Sequence, residues 1–414
     1  MRIWSLLLAS VLALCTGCGR VQPHLVVPDV RLGDPAFAAT IVAYTEAPVV
    51  GGNRVELLLN GDEIFPAKLR AIRVARKTID MAQYIVEDDE EAARLADALG
   101  ERCRAGVRVN VLLDAIGSIS IPASLQSALS GAGCRVELFR PLGPFELDRL
   151  NYRNHRRILV VDGRLGITGG SGTSNRWSGN GRRKGHWRDT DVQVEGPVVE
   201  QLQGAFAENW LEATGVVLGG PDYFPRPLEQ PWSARAQAVR SSPAGGSDAM
   251  YTMFLLAIRS ARSSISITNP YFLPDERMIE TLAETARRGV RVRMLLPGTI
   301  DHDIMRQASR SELGPLLRAG IEIYQYQAAL LHAKTMVIDG AWATVGSTNF
   351  DRRSFALNDE INLVVYDRAF ARRLEGVFEE DLTRARPLTY EAWRHRGIVN
   401  RLLELLASPI RSQL

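Results

Sequence analysis

The chain repeats itself, and that repeat limits its architecture more than any other feature. Ala71-Ile72-Arg73-Val74-Ala75-Arg76 recurs as Ala257-Ile258-Arg259-Ser260-Ala261-Arg262, and each copy leads into an alternating strand pattern, at 78–86 and 264–272. Next, Arg104-Ala105-Gly106-Val107-Arg108-Val109 returns as Arg287-Arg288-Gly289-Val290-Arg291-Val292. A third match pairs Ala132-Gly133-Cys134-Arg135-Val136 with Ala319-Gly320-Ile321-Glu322-Ile323. In the second match a helical stretch ends at glycine and a β-branched strand follows, in both copies. Common helix–strand patterns can look alike by chance, but three matches in one order are poorly explained that way. Each unit exceeds a hundred residues, so this is a tandem duplication rather than a solenoid of short repeats. The alternation of helix and strand predicts an α/β fold, with helices packed on the faces of a sheet.

A chain of 414 residues has room for two such units, each with its own core. We place a first lobe at 51–218, a linker at 219–234 and a second lobe at 235–385. The linker is drawn where prolines cluster and periodicity vanishes, from Gly219 to Pro231. Fifty basic and 47 acidic side chains leave a net charge of only +3, which gives no support for a broad polyanion-binding surface.

The first eighteen residues stand apart from the 19–50 extension that follows. Arg2 precedes an apolar run from Ile3 to Leu14, and then comes Cys15-Thr16-Gly17-Cys18. The run is shorter than the roughly 20 apolar residues needed to span a bilayer. It resembles a bacterial lipoprotein signal with Cys18 as the lipidated residue, although Cys15 occupies the position where such signals carry leucine. A simple cleaved signal and an uncleaved anchor are the alternatives. Any of these directs the protein to the cell envelope. In an exported protein Cys103 and Cys134 could persist as a disulfide. Each lies beside the start of one of two successive strands, at the same edge of the expected sheet, so a bridge between them competes with two buried free thiols. Neither belongs to a cluster of metal-ligand spacing.

A fourth match carries the chemistry. Asn154-His155-Arg156-Arg157 runs through a strand pattern to Asp162-Gly163, and Leu331-His332-Ala333-Lys334 runs likewise to Asp339-Gly340. Both read His-x-(Lys/Arg)-x4-Asp-Gly. Residues i and i+2 of a strand share a face, so His155 projects with Arg157 and His332 with Lys334. An imidazole beside a fixed cation suits nucleophilic or acid–base work on a phosphate ester. Downstream, Gly346-Ser347-Thr348-Asn349 supplies a tight turn and small donors, matched in the first copy by Gly169-Gly170-Ser171.

This paired motif resembles the HxKxxxxD signature of the phospholipase D superfamily. The wider sequence, from about Gly52 onward, is similar to the bacterial cardiolipin synthase branch. The closer similarity is carried by Trp187-Arg188-Asp189-Thr190, Asn269-Pro270-Tyr271-Phe272 and the stretch from Val345 to Phe355, together with the two histidine motifs. The resemblance implies two phospholipase D-like lobes, each a mixed sheet flanked by helices, with one active site where they meet. It implies that one of His155 and His332 attacks phosphorus and the other is general acid, then base. It further implies that Arg157, Lys334, Asn349 and Ser347 bind the phosphoryl oxygens, and that Asp189 and Glu360 orient the imidazoles. No cofactor and no metal are expected. Asp162 and Asp339 follow four strand residues and are read as structural, satisfying the turns at Gly163 and Gly340.

Two positions depart from the pattern. Arg157 replaces lysine, adding a planar fork of donors. Gly172 stands where the first motif usually has asparagine, so that half-site lacks a donor unless Asn175 reaches in. The expected reaction is phosphatidyl transfer, with phosphatidylglycerol as substrate, at a membrane surface and without nucleic acid. Phospholipid hydrolysis, nuclease activity and a non-catalytic envelope lipoprotein are the rivals, in that order. The tail, 386–414, carries Trp393, Ile398, Val399, Leu402, Leu403 and Leu406 among basic residues. That suits an amphipathic helix on a headgroup layer or one docked on the second lobe. Phe145, Tyr271, Phe272 and a loop around Asp301–Ile304 are candidates for a lipid entrance.

Overall fold

A computed structural model describes residues 27–141, 151–226, 231–298 and 303–397. The first lobe supplies β1 (Val50–Leu59), β2 (Thr78–Gln83), β3 (Arg108–Asp114), β4 (Arg135–Phe139), β5 (Ile158–Val161), β6 (Leu165–Gly169) and β7 (Thr190–Glu195). The second supplies β8 (Ala234–Ser241), β9 (Ser264–Thr268), β10 (Arg291–Pro297), β11 (Glu322–Tyr326), β12 (Thr335–Ile338), β13 (Trp342–Gly346) and β14 (Glu360–Tyr366). An edge strand, β15 (Ala385–Leu388), pairs with β11.

Spatial order is β1-β7-β6-β5-β2-β3-β4 in one lobe and β8-β14-β13-β12-β9-β10-β11 in the other. The two orders correspond strand for strand. In each lobe three strands run parallel (β2-β3-β4 and β9-β10-β11) and the rest antiparallel, so each sheet is mixed as expected. Parallel neighbours need crossovers, which are the helices Glu90–Arg104 and Ala123–Gly131, matched by Glu276–Arg287 and Asp303–Arg318. The first helix of each pair is capped by an aspartate, Asp89 or Asp275, accepting from the amide of Ala92 or Met278. Each ends at a glycine in the left-handed region, Gly106 at φ 87° and Gly289 at φ 94°. That reversal lets the amides of Val107 and Val290 bond back to Arg102 and Thr285.

The duplication leads one to expect a separate mixed sheet in each lobe. The first strands of the two lobes, β1 and β8, instead pair antiparallel at Val50↔Ala236 and Asn53↔Ala234, giving one sheet of 15 strands. An unpaired edge leaves a row of backbone groups without partners, and this pairing removes one from each lobe. The register slips between the two pairs, and the Asn53 amide bridges the slip by donating to the carbonyls of Val50 and Ala234.

Part of the 19–50 extension is an ordered helix, Pro35–Thr45, whose Phe37 and Ile41 enter the second lobe's core beside Met250 and Phe254. Cys103 and Cys134 form a disulfide with Cα atoms 5.5 Å apart, so of the two expectations the bridge holds. At the other end, Trp393 of the short helix Tyr390–Arg394 donates its indole N–H to the Arg310 carbonyl at 2.7 Å, docking that segment on the second lobe. Cys18, Phe145, Asp301 and the tail's Ile398, Val399, Leu402, Leu403 and Leu406 lie outside the described residues. Among the described residues no helix is long and apolar enough to cross a membrane.

Candidate active site

The two histidine motifs enter strands β5 and β12, and each is held in place by the opposite lobe. The segment before β5 forms a parallel bridge, Asn154↔Asp359, with the His155 amide donating to the Asp359 carbonyl at 2.9 Å. The segment before β12, Leu330–Leu331, pairs with Trp187–Arg188, and the His332 amide donates to the Arg188 carbonyl at 2.8 Å. These contacts set each imidazole against the carboxylate that follows in the other lobe. His155 Nδ1 lies 2.8 Å from Glu360 Oε1, and His332 Nδ1 lies 2.7 Å from Asp189 Oδ2. The carboxylates identified from sequence are therefore exchanged across the interface. A carboxylate can only accept, so Nδ1 carries the proton and Nε2 is left as the reactive nitrogen.

The cations sit as the strand period requires. Arg157 Nη2 is 3.1 Å from His155 Nε2, and Lys334 Nζ is within 3.1 Å of both ring nitrogens of His332. Their fields overlap, since Arg157 and Lys334 each act on both imidazoles. Burial, then Arg157, pushes His155 down to about 4 against the pull of Glu360. Burial, then Lys334, pushes His332 down to about 3 against Asp189. Burial alone would raise Asp189 and Glu360, but their imidazole partners hold both below the ordinary range. Both imidazoles are thus neutral near pH 7. An incoming phosphodiester anion offsets Arg157 and Lys334 and so favours protonating one of them.

Other expected residues fall into place or move. Asn349 is buried, its Oδ1 has no hydrogen-bond partner among the described residues, and its backbone N–H donates to Ser354 Oγ. Ser347, expected on the phosphate, donates its hydroxyl to Glu360. Asn175 does not reach in: it is exposed, and its side chain caps the amide of Glu91. Asp162 and Asp339 do not serve their own glycine turns. Asp162 accepts from the backbone amides of Arg76, Lys77 and Thr78, and Asp339 from those of Arg262, Ser263 and Ser264. Each ties the turn entering β2 or β9 to the end of the motif strand.

Sequence reasoning missed the aromatic frame. Tyr84 meets His155 edge-on at 4.8 Å, while Trp187 and Trp177 lie 4.8 and 5.4 Å from His332, with Tyr271 at 6.4 Å. It also missed Arg156, fully buried, which donates to the carbonyls of Ala205, Ser241 and Glu360 and so fastens the motif across the lobe boundary. Among the described residues no group of histidine, cysteine, aspartate and glutamate could hold a metal ion.

Comparison with known proteins agrees with this geometry. The family described as cardiolipin synthase, PLD-like domain, matches twice, over residues 69–210 and 254–382. Cardiolipin synthase A of Pseudomonas entomophila (strain L48) is 37% identical over 369 residues, covering 88% of this chain and 76% of that protein. The cardiolipin synthase of Geobacillus sp. (strain WCH70) is 35% identical over 361 residues, covering 87% and 72%. Among solved structures, phosphatidylserine synthase of Haemophilus influenzae Rd KW20 shares the fold, with a TM-score of 0.68 at 14% identity over 92% of this chain and all of that one. With both halves matched in order and relatives aligned over most of their length, the chain belongs to the cardiolipin synthase family of phospholipase D-like proteins.

Proposed function

We propose that the protein transfers a phosphatidyl group from one phosphatidylglycerol to another, forming cardiolipin and releasing glycerol. The observation that carries this reading is the pair of crossed imidazole–carboxylate contacts, His155–Glu360 and His332–Asp189, enclosed with Arg157 and Lys334. One imidazole attacks phosphorus through Nε2, and the bond from phosphorus to the glycerol oxygen breaks. The other imidazole, protonated, gives its proton to that oxygen. The phosphatidyl group is then held on histidine. A hydroxyl of the second phosphatidylglycerol gives its proton back to the same acid–base imidazole, its oxygen bonds phosphorus, and the P–N bond breaks. Arg157, Lys334 and Asn349 bind the non-bridging oxygens as charge accumulates.

The substrate implies work at a membrane surface. Export and lipidation at Cys18 remain part of this proposal, as the anchor that keeps the site at the lipid. Incubation with phosphatidylglycerol vesicles, followed by lipid chromatography and glycerol assay, tests it. Cardiolipin and glycerol in equal amounts are expected. Phosphatidic acid without cardiolipin would mean that water is the acceptor, and cleavage of single-stranded DNA with lipids untouched would reject the reading.

A further inference from the structure

Beyond Arg157 against Lys334 and Gly172 against Asn349, the two half-sites differ in what holds the carboxylate. In the second lobe Ser347, directly after Gly346, donates to Glu360, the partner of His155. In the motif register that sets Gly169 against Gly346 and Gly172 against Asn349, its counterpart is Gly170, which has no hydroxyl to give and where an added Cβ would run into Asp189 Oδ1. Ser171 is the counterpart of Thr348 and serves the equivalent neighbour, donating to Asp191 at 2.6 Å as Thr348 donates to Asn362 at 2.8 Å. Asp189 would lack a side-chain donor besides His332, and Trp177 takes the place of Ser347. Its Nε1 lies 2.8 Å from Asp189 Oδ2, the same oxygen that meets His332 Nδ1 at 2.7 Å.

The indole has room only because residue 172 is glycine. A Cβ there would meet Trp177 Cη2 and Cζ3 at 2.8 Å and the Ile85 carbonyl oxygen at 3.0 Å. The backbone of Gly172 lies outside the left-handed region, so it is side-chain space and not backbone freedom that calls for glycine. Trp177 is fully buried, in a short 3-10 turn (Asn175–Trp177) capped by Ser174, and packs on Trp187 at 4.3 Å.

We propose that Trp177 is a positioning residue for the transfer, its indole N–H fixing Asp189 so that Asp189 holds His332, and that Gly172 is the space that admits it. The departure from asparagine at 172 then exchanges a phosphate donor in the first lobe for a fixed carboxylate, leaving Asn349 of the second lobe as the motif's amide. This inference rests on His332 taking part in the reaction.

The test replaces the donor and keeps the shape. Trp177 is exchanged for 3-benzothienylalanine, in which sulfur stands for the N–H, beside Trp177→Phe and Gly172→Ala, with thermal unfolding as the check on folding. A hydrogen bond to a charged group is lost, so kcat with phosphatidylglycerol vesicles should fall roughly 10- to 100-fold with KM little changed. Gly172→Ala, which forces the indole off the carboxylate, should reproduce the loss. The groups facing His332 are Lys334 from its own strand segment, Asp189 and Arg157 from the first lobe, and Tyr271. Without the indole donor Asp189 draws the His332 proton more strongly, so the limb of the pH–rate profile set by His332 should move to higher pH. Wild-type kcat in the benzothienyl variant overturns the inference, and so does a loss of kcat with that limb unmoved. His332→Ala separates the two readings. If it is inactive while the benzothienyl variant is normal, only this inference fails; if it turns over normally, both fail.

Discussion

Asp162→Ala removes the acceptor from three consecutive backbone amides, those of Arg76, Lys77 and Thr78, at 2.9, 2.7 and 2.9 Å. Arg76 and Lys77 lie near solvent, so water replaces most of their loss, at about 0.5–1 kcal/mol each. Thr78 is fully buried, and its amide forfeits a charge-assisted bond of about 1.5–3 kcal/mol. Asp162 also sits at φ 52°, where alanine costs about 1 kcal/mol more. The sum is about 3.5–6 kcal/mol, enough to lower the thermal midpoint by several degrees. Asp162→Asn, which keeps an oxygen acceptor and tolerates positive φ, should recover half or more of that. The carboxylate is seven residues of extended chain from His155. That puts it on the order of 20 Å from the reacting atoms, so kcat in the vesicle assay should stay within a few-fold of wild type wherever the variant is folded. A hundredfold loss of kcat with an unchanged melting temperature would refute the structural assignment and return the motif aspartate to the chemistry.

Three further outcomes follow from the same geometry. His155→Ala and His332→Ala should each abolish steady turnover, and the double variant should be hardly worse, because both act in one site; a single variant near wild-type rate contradicts the shared site. Cys134→Ser should lower the urea midpoint of unreduced protein by the equivalent of about 3 kcal/mol, as expected for a bridge closing a loop of this size; equal midpoints would show that the disulfide does not constrain the unfolded chain. The pH dependence that the two histidines give to stability has a definite sign. Folded His155 and His332 titrate at about 4 and about 3, below the ordinary 6.5, so on acidification the unfolded chain takes up protons first. Their contribution to stability should fall between about pH 6.5 and 4, against the rise from Asp80 and Asp351, which burial holds up to about 6 and about 7; the difference in urea midpoint between wild type and His155→Ala should therefore shrink on acidification, and a difference constant across that window contradicts a buried neutral His155.

Much of the architecture was legible because duplication makes one half a check on the other. Glycine after each crossover helix, strand period 2 in the motifs and the order of four matches lead to the common strand order of the two lobes. What joins the lobes was not legible. Spacing along the chain puts His332 and Glu360 in one copy, 28 residues apart, and nothing in it says that the contact is exchanged with Asp189 of the other. That exchange comes from backbone pairing of 154 with 359 and of 330–331 with 187–188, pairs too short to register as strand patterns. The β1–β8 junction rests on two partner pairs around a slip, with no alternation to announce it. The helix Pro35–Thr45 gives no sign in the sequence of where it docks, because its partner surface lies some two hundred residues later. Trp177 sits in a stretch of glycine, serine and arginine that reads as loop, and its importance lies only in what it touches.

The phosphohistidine is the center of this account, and it can be weighed directly. Wild type, His155→Ala and His332→Ala are mixed with phosphatidylglycerol vesicles, quenched within seconds, and measured by intact-protein and peptide mass spectrometry. With phosphatidyl-p-nitrophenol carried in the vesicles, whose phenolate departs without help from an acid, one of the two variants should accumulate a phosphatidyl adduct on its remaining histidine, because the base for the second step is missing. The other variant, lacking the nucleophile, should carry none. An adduct on a serine, an aspartate or any residue outside this pair, or turnover with no adduct in any of the three proteins, would contradict it.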